Sequence, residues 1–424
     1  MKRSAVGLVV LAVLFLSTWF LYAAEEPKAA APEAKPAADE PKPLGPGLLS
    51  LDSTVGMLDK KIEDGKGVVE KALGIGISGF FDSSWTWAST HPGNANGHHL
   101  SGRYFDQDYN QLIFNNFNLT LDKPEKDWGI GFHIVGDFGR TGQLLRQATL
   151  WHSHLHSEGH AELREAFFTF TLPVGEGLQV KGGKFVTPLG TETLLAPGAY
   201  NDNISRSFAF NFGVPFTHTG AQLIYPFNKM ISVNAGAVTG WDNPADNNGA
   251  PSFLGGVNFT PTDAFALASN IVVGPEQKNN TGNTRVTWSN VATIKPIDPL
   301  TLYLEYTFGH EENAPTPVGT RDASWHALAG IASYGWTDRF TTALRLEEFF
   351  DPQAARTGGL AATTAVRRVN LGEITLTAAY KFTAKLLGRA EFRQDWADKS
   401  VFLRRNTAAD KGQTGLALQV IYGF

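Results

Sequence analysis

Ile113–Phe138 reads IFNNFNLTLDKPEKDWGIGFHIVGDF, and the period of this stretch decides the fold. Ile113, Phe117, Leu119 and Leu121 alternate with Asn116, Asn118 and Thr120. A polar turn follows over Asp122–Asp127, and then Trp128, Ile130, Phe132, Ile134 and Phe138 alternate with His133 and Asp137. Successive side chains of a strand point to opposite faces, so each half of this segment has one apolar and one polar face. Two such strands joined by a short polar turn form the signature of a transmembrane β-hairpin.

The same grammar runs outward in both directions. Upstream, Ile75, Ile77, Phe81, Trp85 and Trp87 share one face, with Gly76, Ser78, Asp82 and Ser84 opposite. Downstream, short turns at Pro173–Gly177, Pro226–Asn228, Thr260–Asp263, Pro296–Pro299, Gly335–Asp338 and Phe382–Lys385 each join two alternating segments. In these, Leu300, Leu302, Leu304, Tyr306 and Phe308 are expected to face lipid, as are Trp325, Ala327, Ala329 and Ile331 on the following strand. The count reaches about sixteen strands, with short turns expected in the periplasm and long loops outside. The predicted fold class is all-β: a transmembrane antiparallel up-and-down β-barrel over 74–424. A soluble sandwich would need most of the outward faces to be polar, and they are aromatic or aliphatic. Trp85, Trp87, Trp128, Trp288, Trp325 and Trp336 fall near predicted strand ends, where interfacial girdles sit. The chain ends on Phe424, with Tyr422 two residues before it, an alternation that resembles the signal read by the barrel assembly machinery.

The N-terminal part supports export. Lys2 and Arg3 precede an apolar run from Ala5 to Leu16 that closes on Ala23 and Ala24, as in a cleaved signal peptide over 1–24; an uncleaved anchor is the alternative. Residues 25–47, rich in Pro, Ala, Glu and Lys, read as a flexible linker. Leu51, Val55, Leu58, Ile62, Val69 and Leu73 form a helical stripe interrupted at Gly65 and Gly67, giving a short amphipathic helix over 48–73 that is either periplasmic, a plug or packed on the rim. With no Cys among 424 residues, disulfides, thiolate metal sites and Cys nucleophiles are excluded. The net charge of −5, without a basic block, argues against nucleic acid. Expected partners are therefore outer-membrane lipid, the assembly machinery, small solutes or ions, and a further copy of the chain. No cofactor is implied.

Strand parity points certain charges inward: Glu305, Arg345, Glu347, Lys381, Arg389, Glu391 and Arg393 on one side, Asp137 and Glu165 on the other. A water-filled lumen would tolerate them, and they could form a constriction with a transverse field or simply brace the wall. Four positive charges (Arg345, Lys381, Arg389, Arg393) against Glu347 and Glu391 predict weak anion preference, opposed by Glu305 and by any acidic residues the third loop brings in, because local charge acts within a Debye length of about 8 Å. The long connection from Val186 to His218, which carries Glu192, Asp202, Asn203 and Arg206, is expected to fold inward and narrow the pore, with an external lid as the alternative. His152, His154 and His156 alternate in the second long loop, a pattern able to hold Zn²⁺ or Cu²⁺, with a solvated polar loop as the alternative. No Gly-x-Ser-x-Gly elbow marks an enzyme. An adhesin or scaffold barrel is the other rival.

Two segments carry a family resemblance. Arg164-Glu165-Ala166-Phe167-Phe168, through Pro173-Val174-Gly175-Glu176-Gly177-Leu178 to Gly183-Lys184-Phe185-Val186-Thr187-Pro188-Leu189-Gly190, is one. Ser205-Arg206-Ser207-Phe208, followed by Pro215-Phe216-Thr217-His218-Thr219-Gly220, is the other. They resemble the OmpL-like β-barrel porin family, which implies an outer-membrane channel for small solutes and brings no catalytic residues.

Overall fold

A computed structural model describes residues 51–90, 99–125, 129–148, 159–360, 367–404 and 408–424. The expected leader and linker, Trp128, and the His152, His154 and His156 positions lie outside the described residues. One N-terminal helix, α1 (Leu51–Leu73), runs straight through Gly65 and Gly67. Each glycine costs about 1 kcal/mol relative to Ala, too little to break a helix of this length. It ends at Gly74, whose positive φ of 65° and N–H donation to the Glu70 carbonyl (2.7 Å) form a left-handed cap.

The rest of the chain closes on itself. The strands are β1 (Gly76–Ala88), β2 (Leu112–Lys123), β3 (Gly131–Phe138), β4 (Ala161–Leu172), β5 (Leu178–Val186), β6 (Thr217–Pro226), β7 (Ile231–Val238), β8 (Ser252–Thr262), β9 (Phe265–Pro275), β10 (Thr284–Ile297), β11 (Leu300–Thr316), β12 (Gly319–Gly335), β13 (Phe340–Asp351), β14 (Val369–Lys381) and β15 (Leu386–Ala397), then a small ribbon, β16 (Phe402–Leu403) and β17 (Ala409–Asp410), and finally β18 (Gly412–Gly423). Apart from the ribbon, these sixteen strands form one closed antiparallel barrel in which each pairs with its chain neighbour and β18 pairs with both β15 and β1. Closure removes every unpaired edge, which a bilayer requires. Phe424 completes the seam. Its N–H donates to the Gly79 carbonyl (3.0 Å), Gly79 N–H donates back (3.1 Å), and its ring lies beside Phe81 and Phe117.

Most of the parity follows the alternation. Phe81, Phe138, Leu304, Tyr306, Phe392, Leu416, Leu418 and Val420 are outward and exposed, while Asp82, Asn116, Asp137, Glu305, Arg345 and Arg393 are inward and buried. On β12 the expected faces are reversed. Trp325, Ala327, Ala329 and Ile331 point inward, and His326 and Leu328 point out. Both faces of this strand are apolar enough to face lipid, so alternation alone could not choose. The inner face is settled by packing: Trp325 is fully buried against Phe208, Phe349 and Trp241 and donates its indole N–H to the Gly213 carbonyl (3.0 Å). Trp325 is therefore not an interfacial tryptophan, whereas Trp336, half-exposed at a short turn beside Tyr334, fits that role.

Candidate functional site

The lumen is filled by its own loops. The chain from Thr187 to Phe216, between β5 and β6, folds into the barrel. Irregular backbone at this depth needs a partner for each N–H and C=O. The inward charges of the wall supply them. Glu347 on β13 accepts from the N–H groups of Phe208 (2.6 Å) and Ala209 (2.5 Å), at the start of the π-helical turn Ala209–Gly213. Glu391 on β15 accepts from Ile204 (2.6 Å) and Ser205 (3.0 Å), and Glu305 on β11 accepts from Thr191 (2.8 Å). The arginines take the carbonyls: Arg345 donates to Ser205 (2.7 Å), Arg393 to Arg206 (2.6 Å), and Arg389 to Asn201. Acids alternating with bases on the wall thus match the alternating donors and acceptors of a loop backbone.

The side chains also pair with one another. Arg345 bonds Glu373 on β14 (2.5 Å) and Glu192 of the loop (2.8 Å), and Glu192 accepts from Ser207 N–H (2.7 Å). Arg393 bonds Asp395 (2.6 Å), and Asp395 also binds Arg103 of the first outer loop (2.8 Å). Arg345, Glu373 and Asp395 are 0 % exposed, so the expectation of water around these charges is corrected. Pairing, not hydration, makes them tolerable. Two apolar clusters complete the filling. One gathers Phe208, Trp241, Trp325, Phe349 and Phe402; the other gathers Phe185, Leu189, Leu194, Phe210, Phe216 and Leu254, with Tyr104 and Phe105 packed against it.

The predicted inward residues thus separate into groups. Glu305, Arg345, Glu347, Arg389, Glu391 and Arg393 converge on the third loop. Asp137 lies across the barrel on β3, accepting from Asn116 (2.8 Å) and Asn118 (2.7 Å) and facing Arg164 (3.3 Å). Glu165, its neighbour on β4, accepts from Val186 N–H (3.3 Å). Lys381 keeps the inward parity but sits exposed at the turn end of β14, away from the cluster. Counting Arg103, Arg206, Arg345, Arg389 and Arg393 against Glu192, Glu305, Glu347, Glu373, Glu391 and Asp395 gives five positive and six negative charges, so the expected positive surplus is absent. Among the described residues no group of three or more His, Asp or Glu is placed to hold a metal ion.

Several members of the site were not singled out from sequence. Glu373 and Asp395 share the parity of residues that were, and the alternation of β14 and β15 was sufficient to find them. Arg164 was hidden by a bulge opposite Val135 and Gly136, which turns both Arg164 and Glu165 inward. Arg103 lies in a loop whose path no local pattern encodes.

Beside the third loop a narrow space of about 40 Å³ remains, bounded by Asp82, Asn115, Asn116, Arg164, Arg206 and Gln419 among others. A second, of about 170 Å³, lies between Glu192, Tyr200 and Asp202 of the loop and Tyr303 and Ile331 of the wall. Burial lowers the Arg206 guanidinium from its ordinary range, opposed by Glu192, and raises the Asp202 carboxyl.

Known structures share this architecture. The outer membrane channel DcaP of Acinetobacter baumannii is similar at 14 % identity with a TM-score of 0.54, covering 82 % of this chain and 97 % of that one. The anion-selective porin from Comamonas acidovorans reaches 11 % and 0.55, covering 82 % and 99 %. The trimer form of OmpT, an outer membrane protein of Vibrio cholerae, reaches 13 % and 0.53, also covering 82 % and 99 %. At such identities the likeness is one of fold. No curated protein matches the sequence. The family described as "Putative beta-barrel porin-2, OmpL-like" matches residues 74–424, the whole of the barrel. With a closed sixteen-stranded barrel, a charged lumen and this match, the chain belongs to the OmpL-like beta-barrel porin-2 family and is an outer-membrane channel for small solutes.

Proposed function

We propose that this channel is a tight one, restricted by its third loop to the smallest hydrophilic solutes and ions, and that solutes pass on the β1–β2–β4 side of the loop. The carrying observation is the fastening of that loop to the opposite wall by the carboxylates of Glu305, Glu347 and Glu391. It covers Arg345, Arg389 and Arg393, and of the two spaces beside it the narrower one, at Asp82 and Arg206, is lined by charges of both signs, whereas the other meets only the acids Glu192 and Asp202. The wall arginines then act as fasteners and have little direct contact with passing ions. The Comamonas acidovorans porin is anion-selective, but with acids outnumbering bases around this loop we expect no strong anion preference here. Family and fold favour a channel over an enzyme.

Three finer features belong to the same reading. The leader is removed after export, the C-terminal Tyr422 and Phe424 serve barrel assembly, and the chain forms homo-oligomers, as the trimer form of OmpT does. A closed barrel serving as scaffold or adhesin is the second reading, favoured by the near-complete burial of the wall charges. Planar-bilayer recording separates the two. A reproducible single-channel current in KCl, well below that of an unobstructed barrel, is expected. No current from well-folded barrel would favour the scaffold.

A further inference from the structure

The space beside the third loop holds two buried charges that have no ion-pair partner within 4 Å among the described residues. Asp82, on β1, is 3 % exposed; its Oδ1 accepts from Asn115 (3.1 Å) and Gln419 (2.7 Å), and neither bond uses Oδ2. Arg206, on the loop, is 5 % exposed. Its Nη1 reaches only its own neighbour's carbonyl at Ile204 (3.3 Å), its Nε is buried without a partner, and its plane lies near the Phe105 and Phe210 rings. The other charges at this space are engaged. Arg164 donates to the Leu195 carbonyl (2.6 Å) and faces Asp137, and Asp106 is bound by Arg103 (2.9 Å), although its Oδ1 is buried and unpartnered. Arg345, Arg389 and Arg393, which meet the third loop from β13 and β15, each hold a carboxylate, amide or backbone carbonyl, although Arg393 Nη2 is buried without a partner. An unpaired cation on the loop and an unpaired anion on the wall, lining one narrow space, therefore stand out from their surroundings.

Resting on the reading of this space as the passage, we propose that Asp82 and Arg206 form a binding point for small zwitterions, with the solute carboxylate on Arg206 and its ammonium group on Asp82. A buried charge without a counter-ion is costly, and a ligand carrying both charges relieves two such costs together. A simple anion would meet Arg206 but be repelled by Asp82, and a simple cation the reverse. A neutral polar solute would leave both charges desolvated and unmatched. Guanidinium and carboxylate match in planar, charge-assisted hydrogen bonds, which favours a carboxylate as the anionic end. A space of about 40 Å³ has room for roughly three waters at ~10–15 Å³ each, which restricts the class to the smallest α-amino acids.

The test uses the full chain in proteoliposomes, with four solutes of nearly equal size: glycine, glycolamide, glycolate and ethanolammonium. KCl current in planar bilayers is recorded from the same preparation. Glycine should enter about tenfold faster than each of the other three. Arg206→Gln should bring glycine down to the glycolamide rate and raise ethanolammonium, and Asp82→Asn should also lower glycine but raise glycolate. Arg206→Lys, which keeps the charge, should retain part of the preference. Arg206 makes no ion pair among the described residues, so its variants keep the test open if Asp82→Asn assembles poorly. Equal entry of all four solutes in a KCl-conducting channel overturns the inference and leaves the channel reading intact. Absence of KCl current removes both.

Discussion

Leu344 and Arg345 are neighbours on β13 that meet opposite environments. Leu344 faces out, and Leu344→Arg puts a charge in hydrocarbon at about 2–4 kcal/mol near the midplane. The expected result is loss of folded barrel, read by heat-modifiable migration. A water-filled lumen around Arg345 would make Arg345→Leu tolerable. In the structure its guanidinium is wholly buried between Glu373, Glu192 and Ser205, so removing it strands two carboxylates. Breaking a buried pair costs about 3–5 kcal/mol, and that cost falls on the third loop, because the β13 ladder is made by backbone. Arg345→Leu should therefore assemble but show a protease-sensitive third loop and a larger current. Equal failure of both variants to form barrel would mean that the wall itself depends on Arg345. The direction in which each residue points was legible from alternation. The dryness of Arg345 was not, because it comes from a loop more than a hundred residues earlier in the chain.

Strands with two apolar faces are where alternation loses its power, and β12 is the clear case. Trp325 there turns inward because the loop tip offers it the Gly213 carbonyl and an aromatic bed, partners that appear nowhere near it in sequence. Its ring lies over Gly309 of β11 so closely that a Cβ at Gly309 would collide with it. We expect Gly309→Ala to destabilise the barrel in urea, and to be nearly neutral when Trp325→Ala is already present. Trp325→Ala alone should cost about 3–5 kcal/mol as a core cavity. Full additivity in this double-mutant cycle would place Trp325 away from Gly309 and restore the outward parity. The seam between β1 and β18 makes a second element-scale prediction. Phe424 exchanges two backbone hydrogen bonds with Gly79, and its ring fills the position a Cβ of Gly79 would occupy. Deleting Phe424 should lower outer-membrane yield with little change in the current of those channels that do assemble. Normal yield and migration would count against its role. The strand order, the short turns and this closing strand were all readable from period and punctuation, since each is local. Bulges such as that at Arg164 were not, because an extra residue moves the parity without altering composition.

At the scale of the whole molecule, the barrel is a rigid wall and the third loop decides what passes. Two of its fasteners, Glu347 and Glu391, hold four backbone N–H groups, those of Phe208 and Ala209 and those of Ile204 and Ser205. Neutralising both as Glu347→Gln and Glu391→Gln replaces charge-assisted acceptors with weaker amides, while the ladders of β13 and β15 remain. The loop should loosen and single-channel conductance should rise several-fold with barrel stability little changed. The same change alters the charge that ions meet. Five arginines against six acids become five against four, a surplus of one positive charge, and the loosened loop also uncovers Arg345, Arg389 and Arg393. Anion preference should thus appear in the double variant and shrink as salt shortens the Debye length from about 10 Å at 0.1 M to 3 Å at 1 M. In the parent channel, neutralising Arg389 and Arg393 should leave the reversal potential almost unmoved, because both lie behind the loop. A parent reversal potential that shifts strongly towards cations on that change, or a double variant with unaltered conductance, would show that ions pass along the arginine wall and that the third loop does not restrict them.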